Sequence, residues 1–308
     1  MIRSIRTLLV AACLLNAVAM PLQAAAASAL APQPSAEESF DSGMLHVDRY
    51  GSGTKTLIFI PGLASGTWTW YEQIAHFSPD YTVYAITLPG FDGRAASTEP
   101  DLFAAFSRDF FAMLDSRHID KPVVVGHSLG GTLAISLAEQ HPEKLGAIVA
   151  VDGLPVFPTV AQSTPEQRQA AAAGMAAGIA GVTHAQMLAY QKQFMSTIGT
   201  VDTSFAPALA NLTAKSDPKA VAAWVKEDVS TDLRADLSKI TIPFMEVMPY
   251  ASPSPYSQAD TLSFYQMLVT GAPHVEVVTV SPARHYAMLD QPEKFDAALT
   301  QFLAKVQR

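Results

Sequence analysis

At residues 123–131 the chain reads Val123-Val124-Val125-Gly126-His127-Ser128-Leu129-Gly130-Gly131, a run of valines followed by small residues. Three consecutive β-branched residues favour a strand that is covered on both faces. Gly126 and Gly130 flank Ser128 in the pattern G-x-S-x-G, and they remove the side chains that would collide at a sharp strand-to-helix turn. Residues 132–140 carry apolar side chains at helical spacing, which predicts the helix after the turn. This context predicts that Ser128 is a nucleophile exposed above a parallel sheet.

With this strand–turn–helix pattern the chain resembles the α/β-hydrolase family over most of its length after residue 44. The resemblance implies an α/β fold, in which helices flank a mostly parallel central sheet and a helical cap is inserted after strand six. From residue 156 to 236 the strand pattern stops and the chain becomes rich in Ala, Met and Gln. We therefore predict a core formed by residues 41–155 and 237–308, and a cap formed by residues 156–236.

The N-terminus has the features of a secretory signal peptide. Arg3 and Arg6 precede an apolar run that is too short to span a membrane, and small residues follow it. We predict that residues 1–24 are removed, with cleavage near Ala24–Ala26, and that the protein is secreted or periplasmic. Lipoprotein-type processing at Cys13 is the alternative. Residues 25–40, which are rich in Ala, Pro and Ser, are predicted to be a disordered leader.

Composition narrows the range of functions. Cys13 is the only cysteine, so the mature chain has no disulfide, no catalytic thiolate and no cysteine-ligated metal. Loss of two arginines with residues 1–24 changes the formal net charge from −8 to about −10, and an acidic chain without a basic run is a poor partner for nucleic acid or an anionic membrane. The chain has no Gly-rich phosphate loop and no H-E-x-x-H motif, so we predict no metal and no organic cofactor.

A glycine-containing loop follows the apolar strand predicted at residues 56–60. This loop, Pro61-Gly62-Leu63-Ala64-Ser65-Gly66, resembles the H-G-x loop of the family, with Pro61 where histidine is common. The resemblance implies an oxyanion hole formed by the backbone N–H groups of Leu63 and Leu129. A proline at the first position leaves this arrangement possible, because both donors belong to the backbone.

Two tryptophans come shortly after this loop. Trp68 and Trp70 are aromatic residues near the predicted oxyanion hole, and we consider them candidate residues of the acyl pocket. Packing of one or both in the core is the alternative, because aromatic side chains contribute strongly to cores.

The general base is predicted at His285. Residues 275–280 have the pattern of a late strand, and the loop at residues 281–292 resembles the closing S-x-H-x-x-x-x-[DE]-x-P stretch of the family. Ala283 stands where serine is common. By this resemblance His285 is the histidine that activates Ser128. His127 belongs to the turn itself, and its ring is expected to point away from the serine hydroxyl.

The triad acid is less clear from the sequence. The most common family position follows the seventh strand, and residues 249–255 contain no carboxylate there. The alternative position follows the sixth strand, predicted at residues 147–151, which selects Asp152. Glu246 is a rival, since a charge within an apolar strand is costly unless it is paired. A structural role for Glu246, such as pairing with an arginine, is the other interpretation.

Together these residues predict a serine hydrolase that cleaves a carboxylic ester of a small molecule through an acyl-enzyme on Ser128. The catalytic residues would be Ser128, His285 and Asp152, and the partner would be a small-molecule acyl substrate. Lactone or amide hydrolysis by the same triad is an alternative. A binding protein that keeps the fold without catalysis is another, because a fold does not by itself specify function.

Overall fold

The computed structural model describes residues 30–306 of the chain. The predicted signal peptide, its cleavage site and Cys13 lie outside these described residues. Within them, the centre of the molecule is an eight-stranded sheet with the order β1-β2-β4-β3-β5-β6-β7-β8. The strands are β1 (Glu38–Ser42), β2 (Leu45–Tyr50), β3 (Lys55–Ile60), β4 (Tyr81–Thr87), β5 (Val123–His127), β6 (Ala147–Val151), β7 (Phe244–Pro249) and β8 (Val275–Val280).

Strands β3 to β8 run parallel to one another, whereas β1 and β2 pair antiparallel at one edge. The carboxyl ends of the parallel strands therefore meet at one edge of the sheet, where ligands bind in open α/β folds. Every residue of β5 and β6 is buried. This burial agrees with their continuous apolar sequences and shows that both faces of the sheet are covered.

Helices cover the sheet on both sides. The helices are α1 (Tyr71–Phe77), α2 (Leu102–Arg117), α3 (Leu129–Gln140), α4 (Pro165–Ala180), α5 (His184–Phe194), α6 (Ala206–Thr213), α7 (Pro218–Ser230), α8 (Gln258–Val269), α9 (Ala287–Asp290) and α10 (Pro292–Val306). Apolar residues of α2, α3 and α8 pack on one face of the sheet, and those of α1 and α10 pack on the other. No helix among residues 30–306 is both long and apolar enough to cross a membrane.

The predicted leader ends earlier than expected. Strand β1 begins at Glu38, so residues 38–40 belong to the sheet and not to a disordered segment. The reason is strand pairing: Glu38 lies opposite Arg49 of β2, and the two side chains also form an ion pair. This cross-strand contact is not visible in the local composition.

Helices α4 to α7 form an insert between β6 and β7, which we define as residues 156–236. The two ends of the insert are joined by an isolated antiparallel bridge between Val156 and Asp232. Trp224 of α7 is buried and donates its indole N–H to the carbonyl oxygen of Pro89 at 3.2 Å. After α5 the chain continues into a short π-helix, Met195–Gly199, which we call the π-turn. The insert is therefore packed against the carboxyl-end edge of the core.

Candidate active site

Ser128 occupies the sharp turn between β5 and α3. Its backbone has φ 52° and ψ −122°, a conformation that L-residues rarely adopt and that costs about 1–3 kcal/mol. The turn is tight: a Cβ on Gly126 would lie 2.0 Å from the carbonyl oxygen of Gly130. Ser128 is only partly buried, and its N–H donates to the carbonyl of Val151 at 2.9 Å. The strained backbone therefore presents the serine at the carboxyl-end edge of the sheet.

Asp152 lies beside Ser128 because the two residues follow adjacent strands. His127 and Val151 are register partners, so the next residue of each strand leaves the sheet at the same level. Asp152 also has a positive φ of 50°, and its N–H donates to the carbonyl of Val247 at 3.0 Å. The end of β6 thus directs a carboxylate to the edge that carries the serine.

His285 binds Asp152 directly. Its Nδ1 lies 2.5 Å from Asp152 Oδ2, and each of the two side chains is 18% exposed. With Nδ1 donating to the carboxylate, Nε2 is left as the proton acceptor. Within residues 30–306, the Ser128 hydroxyl has no hydrogen-bond partner. The structure thus joins the predicted base and acid, and it brings Ser128 to the same edge of the sheet.

His127 supports the backbone of the His285 segment. Its Nε2 donates to the carbonyl oxygen of His285 at 2.9 Å, and the two imidazole rings have centroids 4.6 Å apart. His127 is completely buried, and this burial lowers its pKa well below the usual value, with a further contribution from the charge of His285. The ring is therefore a neutral structural donor that binds the His285 backbone.

Tyr265 is a member of the site that the sequence interpretation missed. This residue lies on α8 and donates its hydroxyl to Asp152 Oδ1, so both oxygens of Asp152 are occupied. Burial raises the pKa of Tyr265 well above its usual value, with a contribution from the nearby Asp152 charge, so the hydroxyl stays a donor. No local pattern singles out this tyrosine, because it contacts the site through helix packing.

Glu246 lies in β7 opposite Ala150 of β6, and it does not hydrogen-bond to His285. Its side chain is completely buried, and neither carboxyl oxygen accepts a hydrogen bond of good geometry. Burial raises its pKa well above the usual value, the Asp152 charge adds to the shift, and the nearby Gly153 N–H opposes it. Glu246 is therefore a neutral acid, and it is Asp152 that contacts the predicted base.

Asp228 on α7 is a second buried acid that the sequence interpretation did not identify. Burial raises its pKa to about 7, while the neighbouring Thr132 side chain and the charge of His285 oppose the shift. Thr132 is the fourth residue after Ser128, on the first turn of α3. The insert thus contributes a titratable carboxyl group near the base.

The loop at residues 61–66 lies against the serine. A Cβ on Gly62 would be 3.1 Å from the Ser128 Cβ, so the absence of a side chain permits this close approach. Among residues 30–306, no group accepts a hydrogen bond from the backbone N–H of Leu63 or of Leu129. Two free donors beside a serine are the arrangement that an oxyanion hole requires.

The two tryptophans take different positions. Trp70 is completely buried in the core, where its ring stacks on Phe59 with centroids 4.9 Å apart, so its assignment to the acyl pocket is wrong. The physical reason is packing: the large apolar ring of Trp70 lies between Phe59 of β3 and Phe295 of α10 in the core. Trp68 is 3% exposed, and its ring packs on that of Tyr286, the neighbour of His285.

The described residues show no metal site: no group of three or more His, Cys, Asp or Glu side chains is arranged to hold an ion within residues 30–306.

Comparison with known proteins assigns the chain to a family. The sequence profile of the alpha/beta hydrolase family matches residues 57–298, which is most of the chain. The chain belongs to the alpha/beta hydrolase family. This α/β hydrolase carries Ser128 in the turn after β5, Asp152 at the end of β6 and His285 in the loop after β8, which are the positions that the residue patterns indicated.

Relatives of this hydrolase include a putative carbamate hydrolase, an esterase and a lipase. The putative carbamate hydrolase RutD of Caulobacter sp. (strain K31) is 25% identical over 82% of this chain and 92% of its own length. A pimeloyl-[acyl-carrier protein] methyl ester esterase of Yersinia enterocolitica is 24% identical over 82% of this chain and 94% of its own length. Lipase LipV of Mycobacterium tuberculosis is 36% identical, but the match covers only 35% of this chain and 41% of LipV.

Solved structures share the fold at low sequence identity. MenH from S. aureus superposes with a TM-score of 0.71 at 16% identity, over 85% of this chain and 99% of the other. The enol-lactonase from Burkholderia xenovorans LB400 gives 0.69 at 16% identity, over 89% and 100%. These structures therefore show that the chain has the fold of the family.

Proposed function

We propose that this protein is a serine hydrolase that cleaves a carboxylic ester of a small molecule through an acyl-enzyme on Ser128. One observation carries the proposal: a serine in a strained strand-to-helix turn lies at the strand edge where His285 is hydrogen-bonded to Asp152. A nucleophile, a base and an orienting anion at one strand edge are the parts that acyl transfer requires.

In the proposed first step the Ser128 hydroxyl attacks the ester carbonyl while His285 Nε2 takes its proton. Asp152 accepts a hydrogen bond from Nδ1, so it selects the tautomer with a free Nε2 and stabilises the imidazolium that forms. His285 then gives the proton to the alcohol, which leaves as the acyl-enzyme forms. Water activated by the same histidine hydrolyses the acyl-enzyme and releases the acid.

The oxyanion that forms during each addition step would be held by the N–H groups of Leu63 and Leu129. Their lack of other acceptors supports this role, because the donors are available without breaking a hydrogen bond. No metal or organic cofactor has a part in these steps.

We further propose that the insert, residues 156–236, acts as a cap over the site. Its π-turn and Phe194 contact the His285 segment, so a substrate would bind between the insert and the strand edge.

The proposed compartment is extracellular or periplasmic, because residues 1–24 have the pattern of a signal peptide. The acidic composition supports a small-molecule substrate instead of nucleic acid or an anionic membrane.

An ester is the preferred bond because alcohols leave more easily than amines do. The esterase from Yersinia enterocolitica is aligned over most of both chains, which supports this choice. A carbamate or amide is the second candidate, and the alignment with the putative carbamate hydrolase over a similar share of the chain favours it. A lactone is a third substrate class to include in the assay, because the same triad can open a cyclic ester. The enol-lactonase shares only the fold with this chain.

The test is a series of initial rates on p-nitrophenyl esters of increasing acyl length, with purified protein and the Ser128→Ala variant. We expect hydrolysis by the wild-type protein and loss of nearly all of it in the variant. Fluorophosphonate labelling of the wild type, and not of Ser128→Ala, would identify the nucleophile independently of the substrate. A protein that neither hydrolyses acyl substrates nor reacts with fluorophosphonate would instead be a binding protein of this fold.

A further inference from the structure

The C-terminal end of the π-turn is bound by residues 284–286, which carry the proposed base and which we call the base segment. The last carbonyl groups of a helix have no partner within the helix and need donors from elsewhere. Here the carbonyl of Ile198 accepts from the His285 N–H at 3.1 Å, and the carbonyl of Gly199 accepts from the Tyr286 N–H at 2.9 Å. The end of a helical run in the insert is therefore capped by the backbone of the base segment.

Arg284 completes this cap with its side chain. One guanidinium nitrogen, Nη1, donates to the carbonyl of Ser196 at 3.0 Å and to the carbonyl of Thr200 at 2.9 Å. A positive charge at the C-terminal end of a helix is electrostatically favourable. Three consecutive residues, Arg284, His285 and Tyr286, thus satisfy four carbonyl groups of the π-turn and the residue after it.

Asp290 holds the same two segments together from the other side. Its Oδ2 accepts from the backbone N–H of Arg284 at 2.8 Å, and its carboxylate also accepts from the Val201 N–H at 2.9 Å. The side chain of Phe194 adds an apolar contact, with its ring edge-on to the His285 ring at 5.7 Å. The insert and the base segment therefore share polar and apolar contacts.

The His285 backbone is consequently fixed by two different parts of the fold. Its carbonyl is held by His127 at the serine turn, and its N–H is held by Ile198 of the insert. If the π-turn moved, the core would still hold the His285 carbonyl and the Asp152 contact, but the N–H would lose its acceptor. The backbone of His285 would then be held from the core side only.

We propose that Arg284 is a positioning residue, which fixes the π-turn against the base segment so that the insert holds His285 in the orientation that serves Ser128. This inference rests on the proposed function, since it concerns how the base of that reaction is oriented. It assigns the insert a part in the active site besides covering it. Opening of the π-turn would release the backbone N–H of His285 as well as expose the site.

The experiment compares three variants of the full chain. Arg284→Met keeps the aliphatic stem and removes the guanidinium, whereas Arg284→Lys keeps a donor and the charge. Arg168→Met is the matched control, because Arg168 also lies in the insert and donates to a backbone carbonyl, that of Ser163 at 2.8 Å, away from the base segment. Each variant is measured for kcat and KM on p-nitrophenyl butyrate and for thermal unfolding.

We expect Arg284→Met to lower kcat by about 10- to 100-fold with KM changed less than about threefold, because displacing a catalytic group by about 1 Å costs rate and not binding. Arg284→Lys should restore much of the rate, and Arg168→Met should retain it even if it unfolds at a lower temperature. Equal loss of kcat in Arg168→Met, or an unchanged kcat in a folded Arg284→Met, would overturn the proposal.

A second measurement does not require activity. The proton on His285 Nδ1, which lies in a short hydrogen bond to Asp152, should give a low-field proton NMR resonance in the wild type, assigned by its loss in His285→Gln. We expect this resonance to broaden or shift in Arg284→Met and to be unchanged in Arg168→Met. If the wild type lacks both ester hydrolysis and fluorophosphonate labelling, the proposed function fails. In that case the resonance alone tests the positioning role of Arg284, and an unaltered signal in Arg284→Met would reject that role.

Discussion

The Tyr265 hydroxyl donates a hydrogen bond to the Asp152 carboxylate oxygen that His285 leaves free. The two residues are 113 positions apart, and they meet because α8 packs beside the end of β6. With one oxygen on Tyr265 and the other on His285, the carboxylate has little freedom to rotate. The orientation of the base therefore depends on a residue that does not contact the serine.

Replacing Tyr265 by phenylalanine removes this donor and keeps the ring. We expect kcat for an ester substrate to fall by about 5- to 30-fold, consistent with loss of a hydrogen bond to a charged group. KM should change little, because the tyrosine contacts Asp152 and not the proposed substrate position. Tyr250→Phe is the control, since its hydroxyl donates to the Tyr256 carbonyl at an exposed position. Equal effects of the two substitutions would argue against a role for Tyr265.

The two candidate acids are distinguished by paired substitutions. Asp152→Asn should lower kcat by about 10³- to 10⁴-fold, because an amide no longer favours the tautomer of His285 that acts as a base. Glu246→Gln should change kcat by less than about threefold, because glutamine replaces a neutral carboxyl group of similar shape. Steady-state rates on one ester are sufficient for this comparison. The opposite ranking would make Glu246 the triad acid.

Asp228 makes stability depend on pH. Its pKa is about 7 in the folded protein and about 3.8 as an ordinary aspartate, so the folded state binds its proton more tightly. The stabilisation from this bound proton is complete below pH 4 and is lost as the pH rises through 7, by roughly 4 kcal/mol at most. Asp228→Asn removes this loss, so its stability relative to the wild type should increase from pH 4 to pH 8.

Urea unfolding of both proteins at several pH values checks this prediction. Comparison of the variant with the wild type cancels the contribution of other titrating groups, such as Glu139, whose pKa burial raises to about 8. A difference in unfolding free energy that is the same at pH 4 and at pH 8 would show that Asp228 does not titrate in this range.

Helix α4 contains two exposed glycines that weaken it. A Cβ added at Gly174 or Gly178 would meet no atom within 4 Å, and neither residue has a positive φ. Each substitution by alanine should raise the free energy of unfolding by about 0.5–1 kcal/mol, because alanine loses less backbone entropy in a helix. Gly126→Ala is the opposite case, since its Cβ would lie 2.0 Å from the Gly130 carbonyl oxygen. Thermal unfolding should rank these variants accordingly.

The sequence determined those features that depend on neighbours along the chain. The valine run and the two glycines specify the strand and the turn that present Ser128, and the carboxyl ends of β5 and β6 then bring Asp152 to the same edge. The loop after β8 likewise carried enough of a pattern to identify His285. Hydrophobic runs and steric requirements act over a few residues, so they can be read locally.

The tertiary structure decided what depends on packing between distant segments. Only the packing of α8 shows that Tyr265 binds Asp152. Only the complete burial of the Glu246 side chain in β7 shows that it is a neutral acid out of contact with His285. The same holds for Trp70, which became core, and for Arg284, whose carbonyl acceptors lie more than 80 residues away in the insert. Burial and hydrogen-bond partners are properties of the three-dimensional arrangement, and no local sequence pattern encodes them.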